Sequence, residues 1–119
     1  MTNVAIIRCE KNEKSCPLTS CLRCLENAEQ GFASYENPRL VGVFTCRCPG
    51  DEVSALAKIL HKKGAEAIHL CTCLYAKKTA DGWMQQNGGF CDKVETLCRT
   101  IQEATGLPCV KGTAHLPKD

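Results

Sequence analysis

The stretch LVGVFTCRCPGDEVSALAKILHKKGAEAIHL, residues 40–70, contains two apolar segments separated by an amphipathic one. The apolar segments, 40–44 and 65–70, are short and nearly uninterrupted, which is typical of strands buried on both faces. Between them, the segment 49–63 has apolar residues at helical spacing and ends at Gly64, a common stop signal. This part of the chain therefore predicts a strand–helix–strand unit.

The same alternation continues in both directions along the chain. Further buried strands are predicted over 4–7 and 108–110, and further helices over about 17–30 and 92–105. The order β-α-β-α-β-α-β implies one four-stranded parallel sheet with right-handed crossovers. We expect an α/β fold of three layers, flavodoxin-like or Rossmann-like, with strand order 2-1-3-4 and flanking helices. The long connection over 74–90 is predicted to be a loop, either a lid with a functional role or a surface excursion with one short helix.

Length and composition exclude several classes of protein. A chain of 119 residues fits one domain, and 44% hydrophobic with 24% charged residues is typical of a globular protein. The net charge of +2 is too small to predict a nucleic-acid-binding surface. Nothing approaches the roughly 18 apolar residues of a membrane span, and the first residues lack the charged start of a signal peptide. We therefore expect a cytoplasmic protein with no nucleic-acid or membrane partner.

The cysteine content is the most unusual property of the sequence. The chain has eleven cysteines, an odd number. In a small secreted protein this richness would indicate a disulfide framework. In a reducing compartment it favours metal binding or thiol chemistry instead.

Several of these cysteines directly follow the predicted strands. Parallel strands end at the same edge of a sheet, and ligands of open α/β sheets bind outside that edge. Residues far apart in the sequence therefore converge there and form a candidate metal site. The residues that follow a predicted strand are Cys9, Cys46, Cys48, Cys71, Cys73 and His115.

The predicted helix starts supply a second, overlapping set. Cys16-Pro17 and Cys48-Pro49 each resemble a helix N-cap followed by proline at the first helical position, and Cys91 precedes the third helix. Exposed N–H groups and a partial positive charge at a helix N-terminus lower a cysteine pKa and favour the thiolate. We therefore add Cys16 and Cys91 to the candidate metal ligands and expect all three helices to begin with a reactive thiol.

The other cysteines are predicted to be structural. Cys21 and Cys24 lie three residues apart on one face of the first helix, and packing in the core is the expected role, with a C-x-x-C redox pair as the alternative. Cys98 lies on the apolar face of the third helix and Cys109 lies in the fourth strand. Both are expected to pack in the core.

Six segments also match a known sequence pattern, in order and over nearly the whole chain. They are IIRCE (6–10), SCPLTSC (15–21), VGVFTCRCPG (41–50), GAEAIHLCTCL (64–74), CDKVETL (91–97) and GLPCVKGTAH (106–115). On these segments the sequence resembles the CGGC domain family, which are small proteins rich in cysteine and histidine. The resemblance implies one metal-binding domain over 1–119, with zinc as the usual metal, but no defined biochemical role.

The central motif departs from the family pattern. The family's signature cysteines are separated by two glycines, whereas this chain has Cys46-Arg47-Cys48. Either the loop is one residue shorter here, or Thr45 stands at the position of the first cysteine. Arg47 beside two thiols could favour the thiolate or bind an anion.

The candidate ligands outnumber the four that one tetrahedral zinc uses. One zinc with spectator thiols, a two-metal site and an iron–sulfur cluster all fit the sequence. The alternative function is a thiol-redox or sulfur-transfer enzyme that uses low-pKa cysteines. No single nucleophile with a paired general base stands out, so the sequence leaves enzymatic activity open, and it identifies no protein partner.

Overall fold

The computed structural model of the protein describes residues 2–12, 16–47, 51–74, 77–79, 82–84 and 93–114. These residues contain three α-helices and six strands. The helices are α1 (Thr19–Glu26), α2 (Val53–Lys62) and α3 (Val94–Thr105). The strands are β1 (Thr2–Cys9), β2 (Pro38–Cys46), β3 (Ala67–Leu70), β4 (Lys77–Thr79), β5 (Gly82–Met84) and β6 (Cys109–Lys111).

Four of the strands form one sheet in the order β2-β1-β3-β6. All three neighbouring pairs in this sheet are parallel. Since β6 is the fourth strand predicted from the sequence, this order is the predicted 2-1-3-4. The α/β class and the topology are therefore confirmed.

Alternate residues of β1 divide the interior into two cores. Ala5 and Ile7 pack against α2 and α3, in what we call the α2/α3-side core. Val4 and Ile6 pack on the opposite face with residues of α1, in the α1-side core. All four side chains are fully buried, as the period-two geometry of a strand covered on both faces requires. The sheet thus lies between two helical layers, and the predicted three-layer architecture is confirmed.

A glycine in β2 allows α2 to approach the sheet closely. A Cβ atom at Gly42 would lie 2.5 Å from Cδ2 of Leu60. The Leu60 side chain therefore occupies the space that any other residue at position 42 would fill. The clashing atom, Cδ2, is at the end of the flexible Leu60 side chain.

The helices begin later than the sequence predicts. Their N-cap residues are Leu18, Glu52 and Lys93. The assignment of these positions to Cys16, Cys48 and Cys91 is therefore wrong, since each cysteine lies upstream of the N-cap. The expectation that each helix dipole activates one of these thiols loses its basis, because the dipole effect is confined to the first turn.

Core packing explains where the helices start. None of the three N-cap residues makes a capping hydrogen bond through its side chain. Instead, a buried apolar residue lies at each start, namely Leu18, Val53 and Val94. Contact with the sheet thus sets the beginning of each helix, and the Cys-Pro pairs do not.

The connection between β3 and α3 contains a hairpin that the sequence pattern does not predict. β4 and β5 pair as an antiparallel hairpin, with Lys77 opposite Met84 and Thr79 opposite Gly82. The prediction of a loop over 74–90 is therefore wrong for these residues. Strands of three residues are too short to give a detectable alternation of apolar and polar positions.

The described helices contain 8, 10 and 12 residues. A transmembrane helix needs about 20 predominantly apolar residues. Within the part of the chain that the structure describes, no helix meets the length and hydropathy required to cross a membrane.

Candidate metal centre

Three thiols from separate elements meet at the carboxyl edge of the sheet, on its α1 side. Cys21 extends from α1, Cys71 follows β3 directly, and Cys73 lies in the 3₁₀ turn Thr72–Leu74. The Sγ atoms of Cys21 and Cys71 are 3.9 Å apart, and Cys71 also hydrogen-bonds to Cys73. All three side chains are buried. We refer to Cys21, Cys71 and Cys73 as the thiol cluster.

The thiol cluster contains two of the predicted ligands and one cysteine that was not predicted to be a ligand. Cys71 and Cys73 are both predicted ligands, and they lie together. Cys21 is buried, as expected of a core residue, but its sulfur contacts Cys71 rather than apolar atoms alone. The C-x-x-C spacing was the available signal, yet it does not reveal which helical position points at the sheet edge.

A network of two threonines fixes a second contact of the Cys21 sulfur. Its Sγ lies 3.0 Å from Oγ1 of Thr113, in the segment after β6. The Thr72 hydroxyl donates its hydrogen to the carbonyl oxygen of Ala114 and accepts one from the Thr113 backbone N–H at 3.1 Å. Since the Thr113 Oγ1 also accepts from the Thr72 N–H, its own hydrogen is free to be donated to the Cys21 sulfur.

These contacts set the ionisation of the thiols. The hydrogen bond from Cys71 is the largest influence on Cys21, and together with that from Thr113 it lowers the pKa of Cys21 to about 7, against the opposing effect of burial. The same bond holds the proton on Cys71, so the pKa of Cys71 is raised well above its ordinary value. Cys21 is therefore the thiolate of the cluster and Cys71 its donor.

Arg8 connects the thiol cluster to Cys16. Its Nη2 donates a hydrogen bond to the carbonyl oxygen of Cys16, and its charge contributes to lowering the pKa of Cys21. Cys16 itself is half-buried and packs against the α1-side core. The predicted ligand Cys16 thus lies on the same face of the sheet as the thiol cluster.

Cys9 and Cys46 lie on the opposite face. They are register partners at the ends of β1 and β2, so both side chains leave the sheet on the same side. Both are buried in the α2/α3-side core. The structure therefore brings Cys9 and Cys46 together, but on the other side of the sheet from the thiol cluster.

Arg47 follows Cys46 and lies near the protein surface. Its guanidinium forms an ion pair with Glu10 at 3.5 Å, and its side chain is 54% exposed. An ion pair this exposed contributes little to stability, typically below about 1 kcal/mol. The charge that replaces the family's glycines therefore has a carboxylate partner at the carboxyl edge of the sheet.

Three predicted ligands, Cys48, Cys91 and His115, lie outside the described residues. Among the residues that are described, no three or more His, Cys, Asp or Glu side chains are already arranged to hold a metal ion. The contact between Cys21 and Cys71 supplies two thiols of such a group.

His69 is fully buried beneath the thiol cluster, in β3. Its Nδ1 lies 2.8 Å from the carbonyl oxygen of Gly112, which only accepts, so Nδ1 carries the hydrogen. Its Nε2 therefore accepts a hydrogen bond from the hydroxyl of Tyr35, at 2.6 Å. The Phe32 ring packs against the imidazole at 4.6 Å between centroids. Both ring nitrogens have hydrogen-bond partners, so His69 is a neutral histidine with a structural role and neither nitrogen is available to a metal.

Tyr35→Phe is expected to destabilise the protein by about 1–3 kcal/mol at pH 7.5, because Nε2 of His69 loses the hydrogen bond that the Tyr35 hydroxyl donates inside the core. Burial lowers the pKa of His69 below its ordinary 6.5, so the unfolded state takes up a proton first and stability falls as the pH drops below about 6.5. The Tyr35 hydroxyl can donate to the neutral ring and accept from the charged one, so its loss leaves this burial-driven lowering of the pKa in place.

The variant should therefore be less stable than the wild type at pH 7.5, and both proteins should lose stability on acidification. Thermal melts of both metal-free proteins at pH 7.5 and 5.5 measure these differences. Equal melting temperatures of the two proteins at pH 7.5 would mean that Nε2 of His69 does not depend on the Tyr35 hydroxyl.

The fold and these thiols define a class: a cysteine-rich α/β domain with a thiol cluster at the carboxyl edge of a parallel sheet. The family model of the CGGC domain matches residues 3–114, so the chain belongs to the CGGC domain family. Comparison with curated proteins and with solved structures found no match. Family membership and the eleven cysteines fit a metal-binding role.

Proposed function

We propose that the protein binds a zinc ion through cysteine thiolates at the carboxyl edge of its sheet, with the thiol cluster at the centre of the site. The observation that carries the proposal is the 3.9 Å separation of the Cys21 and Cys71 sulfurs. Zn–S bonds of about 2.3 Å in a tetrahedron place neighbouring sulfurs about 3.8 Å apart. The two thiols thus already have the spacing of one edge of a zinc–thiolate tetrahedron.

The ionisation of the thiol cluster also supports the proposal. A metal binds thiolates, and the lowered pKa of Cys21 provides one near neutral pH. Cys71 keeps its proton in the metal-free state, so zinc has to displace it. Binding should therefore release protons and weaken as the pH falls. Bound zinc would supply a cross-link between α1 and the end of β3 or, with an open position, a Lewis acid.

A tetrahedral site needs ligands beyond Cys21 and Cys71. Cys73 is the proposed third ligand, because it hydrogen-bonds to Cys71. The remaining ligand is proposed to come from the other residues predicted for this face or for the undescribed segments: Cys16, Cys48, Cys91 and His115. Cys9 and Cys46, which face the α2/α3-side core, are then either spectators or part of a second metal site.

Two other chemistries suit the same residues. Four thiolates could hold an iron–sulfur cluster instead of zinc. Alternatively, Cys21 and Cys71 could act as a redox or sulfur-transfer pair, with Cys21 as the nucleophile, which its lowered pKa favours. Zinc is preferred because the sulfur spacing matches its tetrahedron and because burial of both thiols limits access of a substrate.

Purification without oxygen, followed by elemental analysis and a visible spectrum, separates these functions. We expect about one equivalent of zinc per chain and a colourless protein. Stoichiometric iron together with a strong visible absorption would show that the protein binds an iron–sulfur cluster instead of zinc. Protein that contains no metal, does not take up added zinc, and is alkylated by iodoacetamide at pH 7 on Cys21, as peptide mapping identifies it, would contradict metal binding and support the redox function.

A further inference from the structure

A second pair of thiols lies apart from the thiol cluster, between α3 and β6. The Sγ atoms of Cys98 and Cys109 are 3.2 Å apart, with Cys109 donating to Cys98. Both residues pack against the α2/α3-side core, so the sheet separates them from Cys21 and Cys71. Cys109 is the first residue of β6, whereas the thiol cluster lies beyond the carboxyl ends of the strands.

The spacing of this pair does not suit a metal. Two thiolates on one tetrahedral zinc lie about 3.8 Å apart, so these sulfurs are too close together for that geometry. Without a metal, two thiolates only 3.2 Å apart would repel each other, so at least one of the pair keeps its proton. A disulfide, in contrast, has its sulfurs about 2.05 Å apart, so the thiols need to approach by only about 1 Å. The pair is also accessible, since both residues are half-buried whereas Cys21 and Cys71 are buried.

We propose that Cys98 and Cys109 form a redox modification site that reduces a hydroperoxide and closes into a disulfide between α3 and β6. Cys98 is the attacking thiol and Cys109 the resolving thiol. This assignment follows from the direction of their hydrogen bond, in which Cys98 accepts.

The hydrogen bond between the two thiols sets their ionisation. The bond from Cys109 is the largest influence on Cys98 and lowers its pKa, while burial and Glu95 oppose it and Lys111 contributes in the same direction. The same bond raises the pKa of Cys109. Lys111 and Glu95 form an exposed ion pair with each other at 2.6 Å, so their charges act on Cys98 in opposite directions.

The reaction balances without a further cofactor. The Cys98 thiolate attacks one peroxide oxygen, an S–O bond forms, the O–O bond breaks, and the leaving oxygen takes a proton to become water or an alcohol. Cys109 then attacks the sulfenic sulfur, the S–S bond forms, and the hydroxyl leaves as water with the Cys109 proton. Two electrons pass from the two thiols to the hydroperoxide, and a dithiol reductant returns them.

Mass spectrometry of tryptic peptides tests the proposal directly. Cleavage after Lys93, Arg99 and Lys111 places the two cysteines on separate peptides, 94–99 and 100–111. Wild-type protein, with and without added zinc, is treated with one to two equivalents of hydrogen peroxide, blocked with N-ethylmaleimide and digested. We expect the two peptides linked, two hydrogens lighter than their sum, in both preparations, and separated again by dithiothreitol.

Variants assign the roles and provide the control. Cys109→Ser should stop at a sulfenic acid on Cys98 that dimedone traps, and Cys98→Ser should leave Cys109 open to alkylation. Cys24→Ser, which removes a buried thiol on the other face, should keep the link. If both cysteines remain alkylated at a peroxide level that oxidises other thiols, or if Cys98 links to a different cysteine, the proposal is wrong. These outcomes do not depend on metal content, so they are distinct from a failure of the zinc site.

Discussion

Cys71→Ser is expected to lower the affinity for zinc by more than about 100-fold and to leave the purified protein nearly metal-free. Changes in residues that only support metal ligands already reduce affinity by about 10–100-fold, and Cys71 is proposed as a direct ligand. A serine hydroxyl stays protonated near neutral pH and is a poor replacement for a thiolate. Elemental analysis and a competition titration with a chromophoric chelator measure the loss.

Cys21→Ser and Cys24→Ser provide the matched comparison. Both cysteines are buried in α1, one turn apart. Burial raises the pKa of Cys24, whereas contacts with Cys71 and Thr113 lower that of Cys21. Zinc should therefore be lost with Cys21→Ser, as with Cys71→Ser, and kept with Cys24→Ser. Equal occupancy in all three variants would show that the thiol cluster is not the metal site.

Gly31→Ala is expected to lower the melting temperature by roughly 5–15 °C, which corresponds to overpacking of about 1–3 kcal/mol. A Cβ at this position would lie 2.5 Å from the carbonyl oxygen of Gly112 and 3.0 Å from Cα of Thr113. These are backbone atoms and cannot rotate away. The Gly31 N–H also donates to the Thr113 carbonyl oxygen at 3.1 Å, so the same displacement weakens that bond.

The thiol cluster should respond to this change as well, because Thr113 donates to Cys21. Displacement of Thr113 should raise the pKa of Cys21 above about 7, which the pH profile of alkylation in metal-free protein detects. Gly42→Ala is the control, since its clash is with the flexible end of Leu60, and it should destabilise less and leave the alkylation profile unchanged. A melting temperature for Gly31→Ala equal to that of wild type would contradict the close approach.

The topology could be predicted because it depends on hydrophobic patterns that are visible in the sequence. Four apolar runs separated by helical periodicity predict a parallel sheet in one dominant order, and the sheet follows it. The starts of the helices could not be predicted, since no N-cap side chain marks them and only contact with the sheet sets them. The hairpin formed by β4 and β5 was missed because its strands are only three residues long.

The site was predictable only in outline. That Cys71 and Cys73 lie at the carboxyl edge follows from their positions after β3. Cys21 joins them because of the way α1 is rotated about its axis against the sheet. The local sequence pattern does not predict this rotation. The partner of His69 was hidden for a similar reason. Tyr35 lies in a connection that contains left-handed backbone at residues other than glycine, Ala28 and Gln30 among them, and composition does not signal that conformation.

The sequence separation within the thiol cluster has a consequence for how the protein reaches its native state. Cys21 is 50 residues from Cys71 and 92 residues from Thr113. In zinc ribbons and fingers the ligands are close in sequence, so the metal can organise a short peptide. Here the chain has to bring α1, β3 and the end of β6 together before the thiols meet, which makes the contacts slow to form. Loading of the proposed zinc site is therefore expected to be a late event in biogenesis, and a newly synthesised chain is expected to depend on its apolar core, not on zinc, to begin folding.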